Sequence, residues 1–239
     1  MADLEATANS LNKTHIDSSA EDVMRRALSV FGSSFAVVSS FGAESAALLH
    51  VASKVDKSLP ILFIDTGKHF AETLAYRDEL IDLLGLTNVI TIQPEQDDLL
   101  GSDKDGSLFA RDHDHCCFIR KVIPLDKVVS KYAAWATGRK RYQNESRQAL
   151  AHFEVADGKI KVNPLAHWSQ KDVEQYLEEH NLPKHSLVKL GYPSIGCAPC
   201  TKPVVDGAPT RAGRWQGSLK SECGIHLSAN KQVKMPIAS

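Results

Sequence analysis

Three short apolar runs punctuate the first hundred residues: Phe35 to Ser39, Ile61 to Asp65 and Val89 to Ile92. Each has the length of a strand, and the stretches between them repeat apolar residues at helical spacing. Ser18 and Ser19 can cap a helix whose Val23, Met24, Ala27, Leu28 and Phe31 share one face. Two further helices are predicted over about Glu44 to Val55 and Ala71 to Leu84, and a fourth strand over Ala133 to Thr137. Strands that are apolar throughout, rather than alternating, are buried on both faces. Their alternation with helices predicts an α/β fold, a parallel sheet with helices on both faces. Phe153 to Val162, centred on Asp157-Gly158, reads as a hairpin, and Ser169 to Asp172 as a capping-box start for a helix through Glu179. Residues 1–17 show no usable pattern and read as a loose leader. Residues 18–215 then form the domain, and residues 216–239 a flexible C-terminal tail.

Composition narrows the function classes. The chain has 239 residues, 43% hydrophobic and 24% charged, with a net charge of −1. That balance gives no global attraction for nucleic acid or a membrane surface, so binding of an anion has to come from local clusters. No apolar run approaches the roughly 20 residues of a membrane span. The polar N-terminus lacks the apolar core of a signal peptide, and the expected location is cytoplasmic. In a reducing compartment, the five cysteines point to metal or redox chemistry rather than disulfides.

The turn Ser39-Ser-Phe-Gly-Ala-Glu-Ser45 joins the first strand to a helix. Such a turn exposes backbone N–H groups at the positive end of a helix, where an oxyanion can bind. Ser39, Ser40 and Ser45 add hydroxyls. The turn lacks the Walker lysine, so it is not an NTPase phosphate loop. Asp65-Thr66-Gly67 closes the second strand and reads either as a nucleotide neighbour or as a plain turn.

Cys116 and Cys117 are adjacent, and Cys197 and Cys200 form Cys-Ala-Pro-Cys. Four thiolates suit tetrahedral zinc or an iron–sulfur cluster. Neighbouring side chains on a helix diverge by about 100°, which a four-iron cube with separated corners accepts more readily than one small ion. Cys223 is left over, in Glu222-Cys-Gly-Ile-His226 near the chain end. A thiol beside a histidine on a mobile segment fits a nucleophile; an incidental tail cysteine is the other reading. Arg120, Lys121, Arg139, Lys140, Arg141, Arg147, Arg211 and Arg214 form an anion pocket if the fold gathers them.

Taken in order, these residues resemble a known family. Ser-Ser-Phe-Gly-Ala-Glu-Ser (39–45), Ile-Asp-Thr-Gly (64–67), Cys-Cys-Phe-Ile-Arg-Lys (116–121), Ala-Thr-Gly-Arg-Lys-Arg (136–141), Cys-Ala-Pro-Cys (197–200), Thr-Arg-Ala-Gly-Arg-Trp (210–215) and Glu-Cys-Gly-Ile-His (222–226) resemble the assimilatory adenylyl-sulfate and phosphoadenylyl-sulfate reductases. The paired cysteines mark the branch that carries a [4Fe–4S] cluster. The resemblance implies an adenine nucleotide alpha-hydrolase-like, Rossmann-like domain. It also implies ligation of the cluster by Cys116, Cys117, Cys197 and Cys200. Adenylyl sulfate would be held by Ser39, Ser40, Gly42, Ser45, Asp65, Gly138, Arg147, Arg211 and Arg214. Cys223 would attack the sulfate sulfur and expel AMP, with Lys121 between cluster and ligand and His226 assisting. Thioredoxin or a similar dithiol protein, supplied in trans, would then release sulfite. The Tyr142-Gln-Asn-Glu145 stretch departs from the family's usual run, so the role of Arg147 depends on an alignment gap. The 3′-phosphorylated substrate, a sulfur-transfer or tRNA-thiolation enzyme, and a zinc-stabilised nucleotide-binding protein remain alternatives. Self-association is left open.

Overall fold

The computed structural model describes residues 2–15, 18–218, 220 and 222–226. Helices α1 (Ala2–Thr14) and α2 (Ala20–Phe31) lead into strand β1 (Phe35–Ser39), then α3 (Ser45–Val55), β2 (Ile61–Ile64), α4 (Ala71–Leu84) and β3 (Val89–Ile92). Three short helices follow, α5 (Gln96–Ser102), α6 (Leu108–Arg111) and α7 (His113–Cys117). A π turn (Phe118–Val122) joins α7 to α8 (Ile123–Val129) and strand β4 (Ala134–Thr137). The hairpin strands β5 (Phe153–Ala156) and β6 (Lys159–Val162) precede α9 (Gln170–Glu179).

The six strands form one sheet in the order β3-β2-β1-β4-β6-β5. All neighbours are parallel except β5, which pairs antiparallel with β6 at the edge. The predicted hairpin supplies that exception. Its turn residues Asp157 and Gly158 both take positive φ (51° and 71°), as a two-residue hairpin turn requires. The strands are apolar throughout because each face has its own core. Phe35, Val37, Ile61, Phe63, Ala134 and Ala136 pack beneath α2, α3, α4 and α9, while Ala36, Val38, Leu62, Ile64 and Trp135 pack against α8. One residue of register would exchange the two sets.

The chain runs outward from β1 through β2 to β3, then returns to place β4 on the other side of β1. A crevice therefore opens at the carboxyl ends of β1 and β4, the switch point where open α/β sheets bind ligands.

The stretch read as a loose leader is different in the structure. Residues 2–14 form α1, and Ala8 and Leu11 enter the main core with Leu4 packed against it. Asn12 anchors the helix: its Nδ2 donates to Phe153 O (2.8 Å) and its Oδ1 accepts from Phe153 N (3.0 Å). Leu4, Ala8 and Leu11 form one helical stripe in a mostly polar segment, and the polar neighbours hid it. Of the region read as a tail, Leu219, Ser221 and 227–239 lie outside the described residues, as do Met1, Ile16 and Asp17. Residues 222–226 are seated on the domain, with Ile225 packed against the core beneath α8.

Candidate anion pocket and cysteine centre

A cavity of about 190 Å³ occupies the crevice. Its lining joins the β1 loop, the end of β4, the π turn, the segment 193–196, the loop 210–215 and residues 222–226. Ser39, Ser40, Gly42 and Ser45 all border it, as do Gly138, Lys121, Arg147, Arg211, Arg214, Cys223 and His226. Asp65 does not: its Oδ1 accepts from Gly67 N (3.0 Å), and it serves its own turn.

The β1 loop is built to leave donors open. Ser39 Oγ accepts from Phe41 N (3.2 Å), pinning the turn. Phe41 is fully buried with φ at 47°, a left-handed conformation that a bulky residue keeps only when its surroundings impose it. Its ring meets Phe63 edge to face, with centroids 5.3 Å apart. Glu44 precedes α3 but makes no side-chain cap. Ser45 N donates to Gly42 O (3.0 Å), and no side chain caps the start of α3, which leaves the positive end of the helix beside the crevice.

The cations of the cavity divide into two groups. Lys140 Nζ donates to Glu44 (2.7 Å), and Glu44 also receives Gln143 (2.8 Å) and the Tyr142 hydroxyl. Burial pushes the Glu44 carboxyl up, but Lys140 and these donors outweigh it and leave it below its ordinary range. Arg139 pairs with Glu154 (2.6 Å) and also reaches Thr137 and Asn163. Arg147 forms a fork with Glu222, Nε to Oε2 at 2.6 Å and Nη2 to Oε1 at 2.8 Å, and Arg211 stands 3.5 Å from the same carboxylate. Among the described residues, Lys121 and Arg214 have no carboxylate within 4.0 Å. Arg120 and Arg141 stay outside the cavity. Arg120 is a buried partner of Asp103 (2.5 Å) and Thr66 O (2.8 Å), and Arg141 donates to Leu150 O (2.8 Å).

All four paired cysteines are buried. They line a second, smaller cavity together with Lys68, Phe109, Arg120, Lys121, Pro199 and Trp215. Burial pushes Cys116 up to about 11 and Cys117 up to about 12. It pushes Cys197 up as well, but Lys121 and the Thr66 hydroxyl, 3.3 Å from Sγ, outweigh it and leave that thiol below its ordinary value. The donor set is thiolate only, the chemistry of iron–sulfur or zinc centres. Among the described residues, no three Cys, His, Asp or Glu side chains stand where one ion could hold them.

Lys121 joins the two cavities. The π turn, an expansion common at functional sites, carries it on the step after Cys116 and Cys117, and its side chain borders both spaces. Burial opposes its charge, but the thiols of Cys197, Cys223 and Cys117 outweigh that and hold its ammonium above the usual lysine range. Gly196 and Trp215 complete the wall. A Cβ built on Gly196 would lie 2.2 Å from Arg214 Nη2, so only glycine lets that guanidinium cross the chain before Cys197. Arg214 also lies over the Trp215 ring, 4.5 Å from its centroid.

Cys223 is half-buried at the rim of the anion cavity. Glu222 precedes it and accepts its N–H (2.8 Å); His226 N donates back to Cys223 O (2.9 Å). Burial and the surrounding Arg139, Arg147, Lys161 and Arg211 hold His226 well below the ordinary histidine range, so it is neutral here. Glu44, Glu222, Gly196, Trp215 and His69, which also lines the cavity, were not singled out by the sequence reading. The Glu-Cys-Gly-Ile-His and Arg-Trp motifs contain two of these positions, Glu222 and Trp215, and the Ser39–Ser45 turn contains Glu44. Nothing local to Gly196 or His69 marks them.

A model of the phosphoadenosine phosphosulfate reductase domain matches residues 34–203. The chain belongs to that family. Among curated relatives, the adenosine 5′-phosphosulfate reductase of Mesorhizobium japonicum is 50% identical over 208 residues, 87% of this chain and 82% of that protein. The protein of the same name from a Chelativorans species is 47% identical over 227 residues, 94% of this chain and 93% of that one. The phosphoadenylyl-sulfate reductase of Candida auris, solved as a phosphate complex, superposes with a TM-score of 0.70 at 29% identity, covering 82% of this chain and 96% of that one. Yeast FAD synthetase, at 18% identity and a TM-score of 0.53, shares the family's nucleotide-binding fold. No helix among the described residues is long and apolar enough to cross a membrane.

Proposed function

We propose that the protein reduces adenylyl sulfate to sulfite and AMP, with Cys223 as the nucleophile. The observation that carries the reading is the position of Cys223 at the rim of a cavity whose carboxylate-free cations, Lys121 and Arg214, are fitted to an anion. The uncapped start of α3 and the hydroxyls of Ser40 and Ser45 would hold the phosphate end. Lys121, Arg211 and Arg214 would hold the sulfate.

The Cys223 thiolate attacks the sulfate sulfur, forming an S–S bond while the bond from that sulfur to the bridging oxygen breaks. AMP leaves with the electron pair. The lysine and arginines neutralise charge on the departing oxygen, and the cavity aligns nucleophile and leaving group. A thiolate of thioredoxin or a similar dithiol protein then attacks Cys223 Sγ. Sulfite leaves with the S–S electron pair, and the second thiol of that protein resolves the mixed disulfide. The sulfate sulfur gains two electrons, and the dithiol becomes a disulfide. Cys116, Cys117, Cys197 and Cys200 would hold a [4Fe–4S] cluster, which supplies charge and shape to the pocket rather than electrons. The setting is sulfate assimilation toward cysteine in the cytoplasm.

The charge pattern favours the substrate without a 3′-phosphate. Arg139 and Lys140, at the end of β4, are already answered by Glu154 and Glu44, leaving no open cation there for a further dianion. The name of the Candida auris neighbour keeps the 3′-phosphorylated nucleotide as the second reading. Incubation with adenylyl sulfate and no reductant tests the mechanism by mass spectrometry. One sulfonate is expected on Cys223, absent in Cys223→Ser. An adduct on another cysteine, or none, refutes it. Turnover on both nucleotides, measured in parallel, decides the substrate. Absorbance near 400 nm in anaerobic protein would support the cluster, and stoichiometric zinc in a colourless protein would sink it.

A further inference from the structure

Glu222 sets an acid inside an anion pocket. It is 8% exposed and immediately precedes the nucleophile. Its carboxylate receives both prongs of the Arg147 fork, Asn144 Nδ2 at 3.1 Å and the Cys223 backbone N–H at 2.8 Å. Each of the three guanidinium nitrogens of Arg147 thereby donates once, because its Nη1 reaches Gln143 Oε1. The same short segment has three other moorings. A Cβ on Gly224 would come within 3.0 Å of Val122 Cγ2, so its backbone lies directly on the π turn. Ile225 packs against the core beneath α8, and Lys161 Nζ donates to Ile225 O at 3.5 Å.

Two physical accounts of the fork are possible. In one, Glu222 stands in for the ligand's anion and is displaced from Arg147 on binding. That leaves a buried carboxylate without its fork beside an incoming dianion, and loss of one partner of a buried pair is strongly unfavourable. In the other, the pair persists. Lys121, Arg211 and Arg214 are then enough to meet the ligand's negative charges. The second account leaves no unpaired buried charge.

We propose that Glu222 is the positioning residue for Cys223. The Arg147–Glu222 fork latches the segment that carries the nucleophile over the pocket, and Arg147 binds Glu222 rather than the ligand. The inference rests on the proposed function, in which Cys223 is the nucleophile.

The charge-neutral double variant Arg147→Gln/Glu222→Gln tests this, because it removes the fork without changing the pocket's net charge. Three readouts are compared with the parent enzyme. Alkylation of Cys223 by iodoacetamide, mapped by mass spectrometry, is expected to rise at least tenfold. The single-turnover rate of sulfonate transfer to Cys223 is expected to fall at least tenfold, as a displaced nucleophile loses its alignment. Affinity for adenylyl sulfate, measured in the Cys223→Ser background so that no chemistry follows, is expected to stay within threefold. A tenfold or greater loss of affinity makes Arg147 a ligand to the substrate and overturns the latch. Unchanged alkylation overturns it as well. Glu222→Asp, which keeps the charge and shortens the reach, should fall between parent and double variant in alkylation and rate; parent-like values for both would also count against the latch. The alkylation readout needs no substrate, so a parent enzyme that forms no sulfonate adduct sinks the proposed reaction while the latch is still decided.

Discussion

On the wall formed by the ends of β1 and β4, each cation has a carboxylate of its own: Lys140 has Glu44 and Arg139 has Glu154. On the wall formed by the π turn and the loops around Cys197 and Trp215, Lys121 faces thiols and Arg214 lies over an indole ring. Both walls are basic in sequence, so residue counts alone would treat them alike. Their partners separate them. A buried cation already paired and hydrogen-bonded holds structure and offers little charge to a ligand. One facing thiols and a π surface keeps its charge available. The difference assigns shape to the strand-end wall and anion binding to the cysteine wall. It also predicts that substitutions on the two walls will fail in different measurements.

The largest difference should come from Lys121. Lys121→Ala removes a cation aimed at the anion, and turnover should fall by about 10²-fold, roughly 2.7 kcal/mol. The unfolding midpoint should move by no more than about 2 °C, since no carboxylate loses its partner. Unchanged turnover would break the comparison by showing that this wall does not bind charge. The counterpart is Glu44→Gln, which leaves Lys140 buried without its anion. Stability should fall by about 2 kcal/mol, less than for a fully enclosed pair because part of Glu44 meets solvent. Urea unfolding measures it, and a loss below roughly 0.5 kcal/mol would mean the pair is not structural.

Most of the shape-holding wall was legible in the sequence. The strands β1 to β4 stand out as unbroken apolar runs because both faces of the sheet are covered, and the hairpin and α9 carry their own turn and capping signals. The β1 loop was legible for the same reason: a small-residue turn between strand and helix has few alternatives. The cysteine wall was readable as chemistry but not as geometry. Cys116, Cys117, Cys197 and Cys200 announce a thiolate centre, yet nothing in their spacing predicts the π turn that brings Lys121 to both cavities. Asp65 was placed at the nucleotide by analogy, whereas its carboxylate closes its own turn. Glu222 was passed over because an acid in an anion pocket looks contradictory until Arg147, 75 residues away, is brought against it. Helix α1 was missed because its stripe is only three residues wide.

Glycines sharpen the contrast at smaller scale. Gly196 lies where Arg214 passes, so Gly196→Ala must push the guanidinium aside, and turnover should drop about tenfold, roughly 1.4 kcal/mol. Gly138, on the strand-end wall, has φ outside the left-handed region, and an added Cβ would meet Leu48 Cδ2 at 3.6 Å, an ordinary contact. Gly138→Ala should therefore change stability by less than about 0.5 kcal/mol. Equal losses of turnover in the two variants would show that close packing, rather than the placement of Arg214, governs Gly196.

The last and smallest effect is pH. Burial holds His226 and His69 below the ordinary histidine value, so each is neutral in the folded chain and takes up its proton more readily when unfolded. Their contribution to stability is complete above the unfolded value, near 6.5, and declines as pH falls below it. Glu44 and Glu222, also held below their ordinary value, contribute in the same direction but in a lower window, below about 4.5. The unfolding midpoint should therefore fall in two stages, by roughly a few degrees between pH 7 and 5 and more steeply below 4.5. His226→Asn should flatten the upper stage and leave the lower one, while Glu44→Gln should weaken only the lower. If His226→Asn leaves the upper stage intact, burial and the cations around that ring do not set its protonation, and His69 carries the upper stage alone.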